Sequence, residues 1–361
     1  MIYNIALIPG DTVGPELIRQ VRIILSTIEN KSDIIFRLKE CSAGASAVRQ
    51  SGTPMPDASL DILKDCDAAI LGNIGESGFS SSELENRPEY ALLKLRRNYR
   101  VCTNIRPVFI RSGLEEISPL KKEVIKNGLN IVLVRDILGG MLNGPRHSAY
   151  TEGGYVASDL ELYHERTVID SARIAFEIAS KRKKHVTSLD KANVLATSLL
   201  WRKTVTSLSA EYPTVTLSHQ YIDNAAMNVI KSPGYFDVIL TSNVFGDILS
   251  DELAQLSGVP NLFGSAELAP DGKGIYTPNQ LHHPHEEYTG QNIVSPIGIL
   301  NAVSMMFDFT LHRPDLAECL QAAIDHIFLQ KLTTPEIPIP GFRQISTDEM
   351  GWEIADFILK H

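Results

Sequence analysis

Short apolar runs alternate along this chain with longer stretches in which apolar residues recur every three or four positions. Ile5, Ala6, Leu7 and Ile8 form a first run, and after Pro15 the residues Leu17, Val21, Ile24, Leu25 and Ile28 keep a helical period. Residues 68–71, 130–134 and 238–241 are further runs, short and apolar enough for strands buried on both faces. Residues 160–181 and 198–210 read as helices between them. Strands alternating with helices predict an α/β fold around a mostly parallel sheet. Glycine- and proline-rich stretches fall at 139–154, 257–274 and 276–296, where they read as functional loops and not as linkers. No repeat or low-complexity tract interrupts the pattern.

Composition narrows the picture only a little. A length of 361 residues suggests two domains, at roughly 150 residues each. No apolar run is long enough for a membrane span, and the first eight residues carry neither the basic start nor the cleavage pattern of a leader. Cys41, Cys66, Cys102 and Cys319 are scattered without a CxxC pair, which points away from a disulfide scaffold and towards a reducing cytoplasm. A net charge of −9 argues against nucleic acid as the main partner.

The chemistry concentrates in a few places. Asp247 and Asp251, in NVFGDILSDE, are four apart where a helix begins and share one face of it. Two neighbouring carboxylates suit a hard divalent cation, or else an acidic helix start. Asp223, in HQYIDNAAM, is a third acid, placed either to join them as ligand to one Mg²⁺ or Mn²⁺ or to cap its own helix. Arg96, Arg106 and Arg135 form a set whose guanidinium forks suit a substrate with two carboxylates, Arg135 directly closing an apolar strand where open α/β sheets place ligands. Lys191, in DKANV, lies between a strand-like stretch and a helix, where a lysine near cations can act as a base. Gly10-Asp11-Thr12-Val13-Gly14 looks like a phosphate loop but lacks both the GxGxxG spacing and a Walker lysine, so a tight strand-to-helix turn is the simpler reading. The run His282-His283-Pro284-His285 lacks zinc-site spacing.

Taken in order, IPGDTVGPE, RPEYALLKLR, NIRPV, VRDILGG, DKANVL, HQYIDNAAM and NVFGDILSDE resemble the metal-dependent β-decarboxylating dehydrogenases, nearest to the 3-isopropylmalate dehydrogenase branch. The resemblance implies two α/β domains around a deep cleft in a fold that is not a standard Rossmann fold. One domain would comprise residues 1–101 and 258–361 on the cofactor side. The other, residues 102–257, would carry metal, substrate and dimer contacts. It implies a homodimer with shared active sites, Lys191 and Asp223 coming from the neighbouring subunit. Arg96, Arg106 and Arg135 would hold the malate carboxylates, and Leu92 and Leu93 would receive an alkyl branch. Asp223, Asp247 and Asp251 would ligate Mg²⁺ or Mn²⁺, and Lys191 would take the hydroxyl proton. NAD would meet Glu89, His282, Glu287 and Ser295, an acid at the ribose favouring NAD over NADP. The implied activity is oxidative decarboxylation of a 3-alkyl malate, in leucine biosynthesis or a parallel pathway.

Three segments depart from that family pattern. Leu142 stands where the family has a catalytic tyrosine, leaving Tyr150, Tyr155 or water as the proton donor. The adenosine loop, 277–288, is longer, with Thr277 for a glutamate, His283 for a glycine and Ser295 for an asparagine further on. The 72–79 loop lacks the family's GGPKW-like run. These departures keep two alternatives open: a dehydrogenase of an isocitrate-, homoisocitrate- or tartrate-like acid, and a non-catalytic homologue that serves as a structural or regulatory subunit.

Overall fold

A computed structural model of the chain describes residues 1–79, 83–279 and 286–361. It resolves into two compact units. The first comprises Met1–Val101, Arg111–Ile117 and Val259–His361; the second comprises Cys102–Ile110 and Ser118–Gly258. Among the described residues, no helix is long and apolar enough to cross a membrane.

In the first unit the strands lie in the order Ile35–Glu40, Ile2–Gly10, Ala68–Asn73, Gly274–Pro278, Gly264–Leu268. The first four are mutually parallel, and the last runs antiparallel to its neighbour. Every residue of Ala68–Asn73 is buried, as expected of a parallel strand covered on both faces. Gly14–Lys31 and Ile297–Phe309 pack against the sheet, with Thr347–Lys360 and Pro314–Leu329 against them. Ile297–Phe309 is apolar nearly all round and correspondingly buried.

The second unit repeats the principle with Thr103–Phe109, Asn130–Asp136, Val238–Thr241, His185–Asp190 and Thr216–Tyr221, of which only the first pair is antiparallel. The helix expected over 160–181 runs Glu165–Ser180, and the one expected over 198–210 runs Ala196–Ser209. Asn243–Leu256 packs on Asn130–Asp136, and Ile222–Lys231 packs on Asn243–Leu256. A separate hairpin pairs Arg146–Thr151 with Gly154–Asp159.

The turn after the first strand is locked by its own residues. Gly10 has φ +73°, and a Cβ there would fall 1.9 Å from the Asn73 carbonyl oxygen, so only glycine fits. The buried Asp11 carboxylate accepts from the backbone N–H groups of Ala45, Ser46 and Gly75 at 2.9, 3.0 and 3.1 Å, joining three segments. Asp11→Ala strands those three donors and is expected to cost about 2–4 kcal/mol in urea unfolding. Asp11→Asn, which keeps an acceptor oxygen, should cost visibly less.

Candidate active site

Two arginines of the second unit emerge from one face of its sheet. Thr103–Phe109 and Asn130–Asp136 pair with Asn104 opposite Arg135 and Arg106 opposite Leu133. Opposite residues of an antiparallel pair point the same way, and so do residues two apart along a strand. Arg106 and Arg135 therefore share a face. Asn243–Leu256 lies against this strand pair and supplies the counter-charges.

Arg135 Nη1 pairs with Asp247 Oδ1, while its Nε and Nη2 donate to Asn243 Oδ1 at 3.1 and 2.7 Å. Arg106 Nη1 donates to Asp251 Oδ1 and to Ser250 Oγ, both at 2.8 Å. The N-cap of this helix is Ser242, so Asp247 and Asp251 sit beyond its first turn and are not caps. Arg135 keeps 10% of its side chain exposed and Asp247 53%, so the acids face water while the guanidinium does not. Two anionic, accessible oxygen donors one helical turn apart fit a hard cation. Among the described residues, no three His, Cys, Asp or Glu side chains of this one chain gather closely enough to hold a metal.

The strand-to-loop junction after Arg135 is fixed by hydrogen bonds. Asn243 Nδ2 donates to the Gly139 carbonyl at 2.9 Å, and Asn243 N donates to Tyr163 Oη at 2.8 Å. Asp136 Oδ1 accepts from Leu138 N at 3.1 Å and Gly139 N at 2.7 Å, and Ser171 Oγ donates to Oδ2 at 3.3 Å. Burial pushes the Asp136 carboxyl up to about 6 despite those bonds.

Lys191 and Asp223 leave adjacent parallel strands at their carboxyl ends, where Asp190 and Tyr221 are in register. Lys191 Nζ donates to Asp223 Oδ1 at 2.6 Å, and that bond holds the Asp223 carboxyl below its ordinary range. Below them, Arg202 grips the buried Asp190 at 2.8 and 2.9 Å, and its guanidinium lies 5.0 Å from the centre of the Tyr221 ring. Lys191 Nζ lies 5.8 Å from the same ring. Asp190, Arg202 and Asn243 did not emerge from sequence reasoning. Asp190 ends the mostly polar strand His185–Asp190, which gives its burial and its need of a counter-charge no local signal in the sequence.

In the first unit, Glu89 is exposed at the N-cap of Tyr90–Tyr99, on which Leu92 is buried and Leu93 half-buried. Arg96 Nε and Nη2 donate to Glu267 Oε2 and Oε1 at 2.8 and 2.5 Å, a two-point pair absent from the sequence reading. Ser295 lines a small cleft with Val13, Leu17, Asn73, Pro278 and Glu336. Glu336 fixes that cleft by accepting from Ser295 N at 2.6 Å and Asn261 Nδ2 at 2.7 Å. His282 lies outside the described residues, and Glu287 is exposed in the turn Glu286–Tyr288. Its neighbour Glu286 accepts from Ser77 N and Oγ at 2.6 and 2.9 Å, tying the 72–79 loop to this turn. Leu142 is exposed in the loop after Asp136, and Tyr150 and Tyr155 face each other across the hairpin, both largely exposed.

The isocitrate/isopropylmalate dehydrogenase family profile matches residues 4–354. The 3-isopropylmalate dehydrogenase of Clostridium pasteurianum is 38% identical over 349 residues, covering 97% of each chain. That of Escherichia coli K12 is 37% identical over 358 residues, covering 99% of this chain and 98% of its own. Among solved structures, a β-decarboxylating dehydrogenase from Thermococcus kodakarensis aligns with TM-score 0.77 and 25% identity, over 99% of this chain and 96% of that one. The isocitrate dehydrogenase of Methylococcus capsulatus aligns with TM-score 0.81 over 99% of both chains at 24% identity, a likeness of fold.

The raised Asp136 carboxyl makes stability depend on pH. The folded state holds this proton more tightly than the unfolded chain does, so the group's favourable contribution is present below its unfolded value and is lost as pH rises through about 6. Compared with Asp136→Asn, the parent chain is expected to lose roughly 1–3 kcal/mol of stability between pH 4 and 7. Urea midpoints of both proteins across that range measure it, and parallel curves refute it.

Proposed function

Because this chain belongs to the isocitrate/isopropylmalate dehydrogenase family, whose members are decarboxylating dehydrogenases, we propose that it oxidises a 3-substituted malate, 3-isopropylmalate-like, with NAD and releases CO₂. The observation that carries this reading is the shared face of Arg106, Arg135, Asp247 and Asp251, cationic forks beside accessible carboxylates. The arginines, Arg96 with them, address the two carboxylates of the substrate. Leu92 and Leu93 offer an apolar surface to its branch, and a methylene-sized mismatch there is worth only about 1–3 kcal/mol.

Asp247 and Asp251 would hold Mg²⁺ or Mn²⁺, with Asp223 of a second copy of the chain as the third ligand. When bound, the cation would supply charge stabilisation for the substrate oxygens and NAD would supply the hydride acceptor. Lys191, as the neutral amine, would take the hydroxyl proton as the hydride leaves the carbinol carbon, and Asp223 would pair with the ammonium so formed. The bond from the neighbouring carbon to its carboxylate then breaks, CO₂ leaves, and the enolate carbon takes a proton. Leu142 cannot give that proton, so water or a nearby tyrosine must. Ser295 and the cleft around it would receive the adenosine end of NAD, with Glu287 at the ribose and Glu89 near the nicotinamide.

A homodimer fits the surface of the second unit. Met227 and Ile230 on one helix and Ile248 on its packed neighbour are exposed, as are Tyr150 and Tyr155 on the hairpin. Such apolar surface suits a second copy that would also bring Lys191 and Asp223 across.

The purified chain with Mn²⁺, NAD and a panel of 3-substituted malates is expected to produce NADH and CO₂ together from at least one of them. No NADH from any acid, with no NAD binding by calorimetry, would sink the proposal. Lys191→Met should lower kcat by about 10²–10⁴ with little change in KM. Leu142→Tyr should raise turnover, and an unchanged rate would mean that another acid already serves.

A further inference from the structure

Lys191 and Asp223 follow the ends of two adjacent parallel strands, and one side chain from a third element reaches both ends. Arg202, on the helix Ala196–Ser209, donates from Nε to Asp190 Oδ2 at 2.8 Å and from Nη2 to Asp190 Oδ1 at 2.9 Å. Its guanidinium also lies over the ring of Tyr221. Asp190 and Tyr221 are the last residues of their strands and stand in register. Asp190 Oδ1 accepts from Ala192 N at 2.9 Å as well, so the carboxylate that Arg202 grips fixes the backbone on both sides of Lys191. Lys191 Nζ lies over the Tyr221 ring too, and Tyr221 shortly precedes Asp223 in the chain. Asp190 is 1% exposed, and a carboxylate that deep needs a full counter-charge. His219 Nδ1, 4.0 Å from Asp190 Oδ2, does not supply one, because burial pushes its imidazole below its ordinary range. Arg202 does.

We propose that Arg202 is a positioning residue for the base: by holding Asp190 and Tyr221 together it sets where Lys191 and Asp223 stand. It acts through those residues and not on the substrate. The proposal rests on Lys191 being the base, as assigned above. All five side chains belong to the second unit. A fork that meets both oxygens of a carboxylate fixes its direction as well as its charge, and a planar cation over a ring restrains the ring. Proton transfer is sensitive to such placement, since a displacement of about 1 Å at a reacting group costs on the order of 10²-fold in rate.

The test measures steady-state kinetics in saturating Mn²⁺ and NAD, with the 3-substituted malate that the parent chain turns over fastest. Arg202→Met should lower kcat by about 10–100-fold and leave KM for the acid within about threefold of the parent. Arg202→Met/Lys191→Met should be no slower than Lys191→Met alone, since Arg202 acts through Lys191. Arg202→Met also strands the buried charge of Asp190 and so loses stability. Asp190→Leu/Arg202→Met replaces the pair with apolar side chains and should regain the parental midpoint in urea. Its kcat should nonetheless stay at least about tenfold below the parent, because nothing then holds the two strand ends. A kcat in Arg202→Met within about twofold of the parent overturns the proposal. So does further slowing on top of Lys191→Met, or a kcat that returns with stability in the apolar pair, which would make the role of Arg202 structural alone. A parent chain that makes no NADH from any acid overturns the dehydrogenase reading and this proposal with it, whereas an active parent with an unaffected Arg202→Met overturns this proposal only.

Discussion

An arginine withdrawn from water needs a counter-charge, and Arg135 is withdrawn over nine-tenths of its side chain. Much of the second unit's candidate site follows from meeting that need. Asp247 supplies the charge and Asn243 a further acceptor, so the first two turns of Asn243–Leu256 are held against the strand that carries the arginine. Asn243 in turn holds the Gly139 carbonyl and engages the Tyr163 hydroxyl. Tyr163 packs so closely that a Cβ on Gly139 would fall 2.3 Å from its ring. One buried cation thus sets the position of a strand end, a helix start and the loop between strand and hairpin.

The first unit solves the opposite problem with buried acids. Asp11 and Glu16 each collect backbone N–H groups from segments distant in sequence, Asp11 from residues 45, 46 and 75 and Glu16 from 290 and 292, and the half-buried Glu336 takes that of 295. The turn at residues 10–16 superficially resembles a phosphate loop. Its two carboxylates occupy the donors of neighbouring loops, which makes it a lock for those loops and gives it the wrong charge for an anion.

The α/β class and the strands at 5–8, 68–71, 130–134 and 238–241 were legible because a buried parallel strand is nearly all apolar, whereas Gly264–Leu268 and Gly274–Pro278 fall in glycine- and proline-rich stretches that read as loops and are buried strands instead. The shared face of Asp247 and Asp251 followed from helical spacing alone. The helix start near residue 160 was misplaced because Leu160 and Leu162 extend the apolar pattern, although both are exposed and precede the helix at Glu165. The partner of Arg96 was missed for a different reason. Glu267 lies 171 positions away, and pairing across such a separation leaves no local period. Its one trace in the sequence is an acid set among the small and apolar residues of Gly264–Leu268, an arrangement that is costly unless a cation stands opposite.

The hairpin of Arg146–Thr151 and Gly154–Asp159 has almost every side chain exposed on both faces, Tyr150 at 85% and Tyr155 at 71%. Two strands with no layer beneath them are marginal in water. Whatever keeps this ribbon in shape must come from beyond its own residues, and in the homodimer proposed above it would come from another copy of the chain. The order of that ribbon would then obey mass action, so that the abundance of the protein becomes one of the conditions of its own folding.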